Sequence, residues 1–436
     1  MRRRQFLHTT AAGLLAPALP AAPERPNIVL FLTDDLGYAD LGCCGATDLR
    51  TPHIDRLASE GVKFTHCYSN GPVCSPTRAA LMTGRYQQRF GIEWAIYPGQ
   101  HGWGLEPRHV TIATRLKRAG YRTGMFGKWH LGYEAVYGPN QHGFDEFAGL
   151  LSGNIDFYSH REINGELDWY ENLNRADMPG YATEIIARKA ASFVDRHAGT
   201  PFFLYVPFNA VHWPFQAPGR PQDIRDRKTW FDGTRTDYAR MVESVDDAVG
   251  MVLRTLEQRG AARNTLVLFT NDNGGERLSI NRPFAHRKAT LWEGGIRVPG
   301  IAHWPGVLPA GRTSDQACIS MDLSATVLAA AGVTGPYSPP LDGEDLLPIL
   351  TGKAPPRERT FFWRIDREDR KQKAVRQGGW KWLRDGSIEL LFNLDEDPAE
   401  RHDVGYRYPE RLAALRQRMA EWEEELKKDP PPKVIK

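Results

Sequence analysis

The sequence predicts an α/β protein: a large mixed, mostly parallel sheet flanked by helices, followed by a smaller C-terminal antiparallel sheet with one helix. Three observations point there. Continuous apolar runs at 27–33, 202–206 and 265–270 are rich in β-formers and have the length of strands buried on both faces. Amphipathic segments with helical spacing alternate with them, as in a sheet covered by helices. From about Pro336 prolines become dense and the strands become short and turn-separated, which suits a separate antiparallel unit.

The chain starts Met1-Arg2-Arg3-Arg4-Gln5-Phe6-Leu7, continues with an apolar run to Leu19 and then with small residues. This resembles a twin-arginine export signal, expected at 1–22 with cleavage between Ala18 and Ala22. The apolar run is too short to span a bilayer comfortably and no later stretch qualifies. The expectation is an exported protein, periplasmic or secreted, with no transmembrane segment. The 436 residues carry a formal charge of +3, and loss of the three N-terminal arginines leaves the processed chain neutral. That balance argues against nucleic acid or a membrane surface as the main partner. The five cysteines, at 43, 44, 67, 74 and 318, show neither zinc-site spacing nor a disulfide framework.

The run at 27–33 ends in Asp34-Asp35, at the end of a parallel strand where α/β proteins build their sites. One aspartate would suit a turn; two in succession suggest a metal site. At 51–61, Thr51 can cap a helix, Pro52 suits its first position and Gly61 ends it. A strand at 62–68 leads into the loop before Cys74. Pro76 suits the first turn of the next helix and Gly84 its end, so Cys74 sits at a helix N-terminus, where orphan N–H groups favour negative charge. Arg78, one turn on, can reach back towards it.

A capped helix at 111–120 and a strand at 121–126 precede Gly127-Lys128-Trp129-His130-Leu131-Gly132, a candidate anion pocket. A loop-rich stretch at 142–160 and an amphipathic helix at 181–197 follow. The strand at 202–206 runs into a loop carrying His212. A long helix at 236–260 leads to the strand at 265–270 and then Asn271-Asp272-Asn273-Gly274-Gly275, where oxygen ligands again stand at a strand end. Lys288 precedes Trp292-Glu293-Gly294-Gly295-Ile296-Arg297. Short strands at 360–363, 374–376, 381–384 and 389–393 precede a helix whose Leu412, Leu415, Met419, Trp422 and Leu426 form one stripe. The expected organisation is an export signal at 1–22, a catalytic domain at 23–340 and a C-terminal subdomain at 341–436.

On residue chemistry alone these features admit plainer readings. Cys74 suits a buried, inert thiol, Lys128 and His130 an exposed basic pair, and His212 a structural histidine. Asp34, Asp35, Asp272 and Asn273 offer hard oxygen donors without a soft partner set, which favours Ca²⁺ or Mg²⁺ over zinc.

Cys74-Ser75-Pro76-Thr77-Arg78, continuing through Thr83-Gly84-Arg85, resembles the signature of type I sulfatases. Gly-Lys-Trp-His-Leu-Gly at 127–132, the His212 loop and the segment around Trp292 resemble further segments of that family, in family order. The resemblance implies an alkaline phosphatase-like fold and hydrolysis of sulfate monoesters. It implies that a maturation enzyme oxidises Cys74 to formylglycine, whose hydrate is the nucleophile. It implies Ca²⁺ in preference to Mg²⁺, bound by Asp34, Asp35, Asp272, Asn273 and position 74. Arg78 would orient the hydrate, Lys128 and Lys288 would neutralise sulfate oxygens, His130 would act as base, and His212 would bind sulfate or protonate the leaving oxygen. Export together with polar and aromatic loop residues (His101, Trp103, Asn154, Asp156, His160, Trp213) suggests a sulfated glycan as substrate. Two rival readings share the sequence features: a phosphate or phosphonate ester hydrolase of the same superfamily, and a glycan-binding protein without turnover.

Overall fold

The computed structural model describes residues 25–100, 102–221 and 229–428; the expected export signal at 1–22 and His101 lie outside them. In chain order the elements are β1 (Asn27–Thr33), α1 (Pro52–Glu60), β2 (Val62–Phe64), β3 (Cys67–Tyr68), α2 (Cys74–Thr83), α3 (Ile112–Arg118), β4 (Arg122–Lys128) and β5 (Glu146–Leu150). They continue with β6 (Tyr170–Glu171), β7 (Asn174–Arg175), α4 (Ala182–His197), β8 (Phe202–Pro207), α5 (Arg235–Gln258), β9 (Thr265–Asn271), α6 (Glu293–Ile296) and β10 (Gly300–His303). The last are β11 (Arg312–Ser314), β12 (Cys318–Ile319), α7 (Ser320–Ala330), α8 (Leu347–Leu350), β13 (Thr360–Asp366), β14 (Lys371–Gln377), β15 (Trp380–Asp385), β16 (Ile388–Asn393) and α9 (Pro409–Leu426).

Ten strands form one sheet in the order β11-β2-β10-β9-β1-β8-β4-β5-β6-β7. Its five central strands, from β9 to β5, are parallel, while β10, β6 and β7 join antiparallel. The central strands read as unbroken apolar runs because both their faces are covered. Val29, Phe31, Leu204, Val206, Val267 and Phe269 point to one face and pack with α1, α4 and α5. Ile28, Leu30, Phe203, Tyr205, Leu266 and Leu268 point to the other and pack with α2, α3 and α7. The second sheet, β13-β14-β15-β16, is antiparallel and is packed by α9 through Leu415, Met419, Trp422 and Leu426.

The two sheets share an interface. The third core cluster takes Tyr68, Tyr86 and Ile296 from the large unit together with Trp363, Trp382 and Phe392 from the small sheet. Inside it Lys381 is fully buried and pairs with Glu293 at 2.9 Å and Glu400 at 2.8 Å. The Tyr68 hydroxyl donates to Glu293 at 2.7 Å and Arg297 pairs with it at 3.2 Å. Burial opposes ionisation of Glu293, but Lys381 and Arg297 outweigh it and hold its carboxyl down at about 2. Glu400, also buried but beside Glu293, is pushed up to about 7.

Three local expectations change. The strand expected at 62–68 is broken: β2 joins the main sheet, whereas β3 pairs with β12 in a separate two-stranded sheet. β4 runs to Lys128, two residues beyond the expected strand, because Gly127 and Lys128 stay paired with Gly149 and Leu150 of β5. Gly127 has φ 131°, and a Cβ there would stand 1.9 Å from the Pro207 carbonyl oxygen, so only glycine fits. Thr51 makes no cap bond to α1; its hydroxyl accepts from the Gly42 N–H at 2.8 Å instead.

Candidate active site

Asp34 and Asp35 follow β1, Asp272 and Asn273 follow β9, and these strands are adjacent and parallel, so both pairs of oxygen donors emerge at the same end of the sheet. Cys74 opens α2, with Val73 extended before it, and Gly84 closes the helix in the left-handed conformation. One oxygen each of Asp34, Asp35 and Asp272 and the Cys74 sulfur all lie within 4.8 Å of one another, every residue buried. The Cys74 thiol donates to Asp34 Oδ1 at 3.3 Å. Burial, with the Asp272 and Asp34 carboxylates close by, pushes that thiol well above the usual range.

Three cations oppose the three carboxylates. Arg78 donates from Nε and Nη2 to Asp272 Oδ2, at 3.0 and 2.9 Å, and from Nη1 to the Lys128 carbonyl at 2.8 Å. It therefore braces Asp272 and the end of β4, and makes no hydrogen bond to Cys74. Lys128 Nζ donates to Asp34 Oδ2 at 2.5 Å, and Lys288 Nζ to Asp35 Oδ2 at 2.7 Å. Asn273 Nδ2 donates to Asp35 Oδ1 at 2.8 Å. Burial works against ionisation of Asp35, yet Lys288 and His212 hold its carboxyl at about 2. Asp272 is raised to about 6 by burial and by Asp34. Asp35 and His130 both have left-handed backbones, φ 60° and 57°. Such conformations cost about 1 kcal/mol or more and persist where surrounding structure imposes them.

The histidines have assignable protons. His130 Nε2 lies 2.8 Å from the Ile96 carbonyl, which can only accept, so Nε2 carries the hydrogen and the buried, unpartnered Nδ1 carries the lone pair. Burial and Lys128 hold His130 well below the ordinary imidazole range. His212 Nδ1 likewise donates to the Trp213 carbonyl at 2.7 Å, leaving Nε2 3.6 Å from Asp35. Burial and then Lys288 lower His212 to about 3.

These groups meet a cavity of about 1120 Å³. Cys74, His130, His212 and Lys288 line its buried end, and Trp94, Tyr97, Tyr133, Trp213 and Phe231 its walls. His286, Arg287 and Arg370 line its exposed end. Asp34, Asp35, Asp272, Asn273, Arg78 and Lys128 sit behind this surface rather than on it. Asn154 and Trp213 line the cavity as expected of substrate loops, but Asp156 and His160 do not. Asp156 accepts from the Tyr158 and Ser159 N–H groups at 2.8 and 2.7 Å, and His160 packs on Trp169. Trp103 packs against the second core cluster. Glu276 is a site residue that sequence reasoning missed. It lines the cavity with a buried, unpartnered Oε2, and its signal was its place directly after Asn271-Asp272-Asn273-Gly274-Gly275.

The donor set fits a hard divalent cation. Asn273 Oδ1 is buried and accepts no hydrogen bond among the described residues, and it adjoins three clustered carboxylates. The Cys74 thiol is the poor member, a soft neutral group among hard oxygens. Three carboxylates and three cations balance, so a dication would leave the centre positive, suited to an anionic substrate.

A family model described as Sulfatase matches residues 26–333, and one described as N-sulphoglucosamine sulphohydrolase, C-terminal, matches residues 284–429. The chain belongs to the sulfatase family. It is 35% identical to the dog N-acetylgalactosamine-6-sulfatase over 94% of its own length and 87% of the relative's, and 34% identical to the rat steryl-sulfatase over 78% and 72%. Among solved structures, Ps i-CgsB in complex with k-i-k-neocarrahexaose superposes with a TM-score of 0.84 at 32% identity, covering 92% of this chain and 93% of that one. This sulfatase is thus a sulfuric ester hydrolase. Among the described residues no helix is long and apolar enough to cross a membrane.

Proposed function

We propose that this sulfatase removes sulfate from a sulfated glycan, with position 74 acting after oxidation to formylglycine and Ca²⁺, in preference to Mg²⁺, bound beside it. The observation that carries the reading is the convergence of Asp34, Asp35, Cys74 and Asp272 with Lys288, His130 and His212 at the buried end of one aromatic-walled cavity. Relatives named for N-acetylgalactosamine 6-sulfate and a structure solved with a neocarrahexaose support a carbohydrate substrate.

Asp34, Asp35, Asp272 and Asn273 would hold the cation, which polarises sulfate oxygens and adds positive charge to the centre. Oxidised to formylglycine, position 74 supplies a hydrated aldehyde, an oxygen nucleophile for covalent catalysis. The remaining steps belong to unmodified side chains. Lys288, on the cavity surface, binds sulfate oxygens. Lys128 acts from behind by orienting Asp34 and offsetting its charge. Arg78 fixes Asp272 and so the arrangement around position 74. His130, neutral and with Nδ1 vacant, accepts a proton from a hydroxyl at position 74. An anion beside His212 raises its proton affinity, and protonated Nε2 then binds sulfate or gives its proton to the leaving alcohol oxygen. Aromatic walls exclude water around these transfers.

Export through a twin-arginine signal, a periplasmic or secreted location, a maturation enzyme acting on Cys74 and a division into 23–340 and 341–436 belong to the same proposal. The division is supported by the sulfatase family model ending at 333 and by β13 starting at Thr360. The test is sulfate release, read by ion chromatography, from 6-sulfated N-acetylgalactosamine, sulfated galactan oligosaccharides and an aryl sulfate, with matched phosphate esters alongside. Release from the glycans, lost in Cys74→Ala, is expected; a preference for phosphate, or full activity in Cys74→Ala, would overturn the reading. Mass spectrometry of the peptide carrying position 74, from protein made with a maturation enzyme, should show the aldehyde.

A further inference from the structure

We infer that Arg287 and Arg370 form a second anion-binding subsite at the exposed end of the catalytic cavity, selecting glycans that carry another sulfate or a carboxylate next to the sugar being desulfated. This rests on the glycan reading above. The two arginines come from distant parts of the chain, the loop after β9 and the turn between β13 and β14, yet both line the cavity that holds Cys74 and Lys288. Arg370 Nη1 donates to the Ala289 carbonyl, two residues from Arg287, which fixes the turn against the loop.

Their lack of carboxylate partners separates them from their neighbours. Arg364 pairs with Glu93 at 2.6 Å and Arg367 with Asp369 at 2.8 Å, on the strand and turn leading to Arg370. Neither Arg287 nor Arg370 has a carboxylate within ion-pair distance among the described residues. The acid that lines the cavity is Glu276, which feels Arg287 as a stabilising charge but faces Asp35 and Lys288 as well. Two guanidiniums whose planar forks match sulfate and carboxylate oxygens are thus left available over a site that is itself built for an anion.

The dimensions agree. At about 1120 Å³ the cavity exceeds the roughly 300–1,000 Å³ of pockets that enclose one small ligand, leaving room for a second sugar ring. Tyr97 is 49% exposed and Phe231 46% exposed, so flat aromatic faces continue outward from the buried end. A sugar whose sulfate reaches Lys288 would present its neighbour to these rings, and the neighbour's anionic group to Arg287 and Arg370.

The experiment compares kcat/KM of the mature enzyme on 6-sulfated N-acetylgalactosamine, on its disaccharide with a neutral hexose, and on matched disaccharides with a uronic acid or a second sulfate. Wild type is expected to prefer the doubly anionic disaccharides over the neutral-hexose one. In Arg287→Gln and Arg370→Gln that ratio should fall about 10- to 100-fold, through KM more than kcat, as for loss of a charge-assisted hydrogen bond. Arg370→Lys, which keeps the charge, should recover part of the ratio, and thermal melting of each variant checks its folding. Equal loss on all three disaccharides, or no wild-type preference, would overturn the subsite while leaving glycan desulfation intact. Turnover of an aryl sulfate with no glycan cleaved by wild type would overturn the glycan reading and the subsite together.

Discussion

Replacing Lys381 by methionine tests what fastens the small sheet, and with it the Arg370 wall, to the catalytic unit. Lys381 is completely buried and is the cation shared by Glu293 and Glu400, at 2.9 and 2.8 Å. Methionine fills a similar volume but leaves two buried carboxylates facing each other, with Arg297 the remaining cation on Glu293. Breaking a buried ion pair from one side costs about 3–5 kcal/mol. At about 2 °C per kcal/mol for a large domain, Tm should fall by roughly 6–10 °C. Glu400 titrates at about 7 in the folded protein. A carboxyl raised above its unfolded value of about 4.3 loses folded-state stability as pH rises through that window. Without Lys381 the penalty must therefore grow between pH 5 and 8, and adding Glu400→Gln should recover much of it. Differential scanning calorimetry at pH 5, 6, 7 and 8 measures this. A Lys381→Met melting point within 1 °C of wild type at pH 8 would refute the argument that this cluster holds the interface.

Three further outcomes are expected. Removing divalent ions with EDTA should abolish sulfate release and lower Tm, because a cation held by Asp34, Asp35, Asp272 and Asn273 binds the folded state and stabilises it by mass action; added Ca²⁺ should restore both better than Mg²⁺, as ion titrations of activity and melting would show. His130→Asn should reduce kcat about 10²- to 10⁴-fold on an aryl sulfate, the range for loss of a positioned base, in single-turnover and steady-state assays. His142 is buried, donates Nε2 to the Leu105 carbonyl at 3.0 Å, and is lowered to about 4 chiefly by burial. A histidine depressed on folding contributes stability above its unfolded pKa of about 6.5 and loses it as pH falls towards 4. His142→Asn should flatten that acid limb by about 2 kcal/mol at pH 5 in urea titrations.

Much of the site was readable because it is local. Cys74 and Arg78 share one helix, and each pair of oxygen donors stands at the end of a strand whose apolar run declares it, so spacing placed these groups at a helix start and at strand ends while the family resemblance made them a site. Lys128 was harder. Its strand continues past the expected end because pairing with β5 decides where β4 stops, and burial then turns an apparent surface base into a support for Asp34. Asp156 and His160 looked like substrate contacts since polar loop residues usually are, but their backbone bonds and ring packing turn them inward. Arg370, Trp94 and Tyr97 carry no motif; long-range contacts bring them to the cavity, Arg370 through the Ala289 carbonyl and the 94–97 loop through Ile96, which bonds Ser75 and His130.

The burial of Cys74, 2% exposed and enclosed by residues from across the sequence, sets a timetable for its chemistry. Its enclosure depends on β9 completing the pair with β1 and on Asp272 just beyond. Roughly 200 residues separate Cys74 from that strand, about 10–40 s of ordinary chain synthesis. During this interval the cysteine is on an open chain, and afterwards it lies at the buried end of the catalytic cavity. The oxidation proposed for this thiol would therefore have to act on the nascent or newly released chain, and the fraction of active protein would then be set by a race between modification and folding rather than by the finished fold.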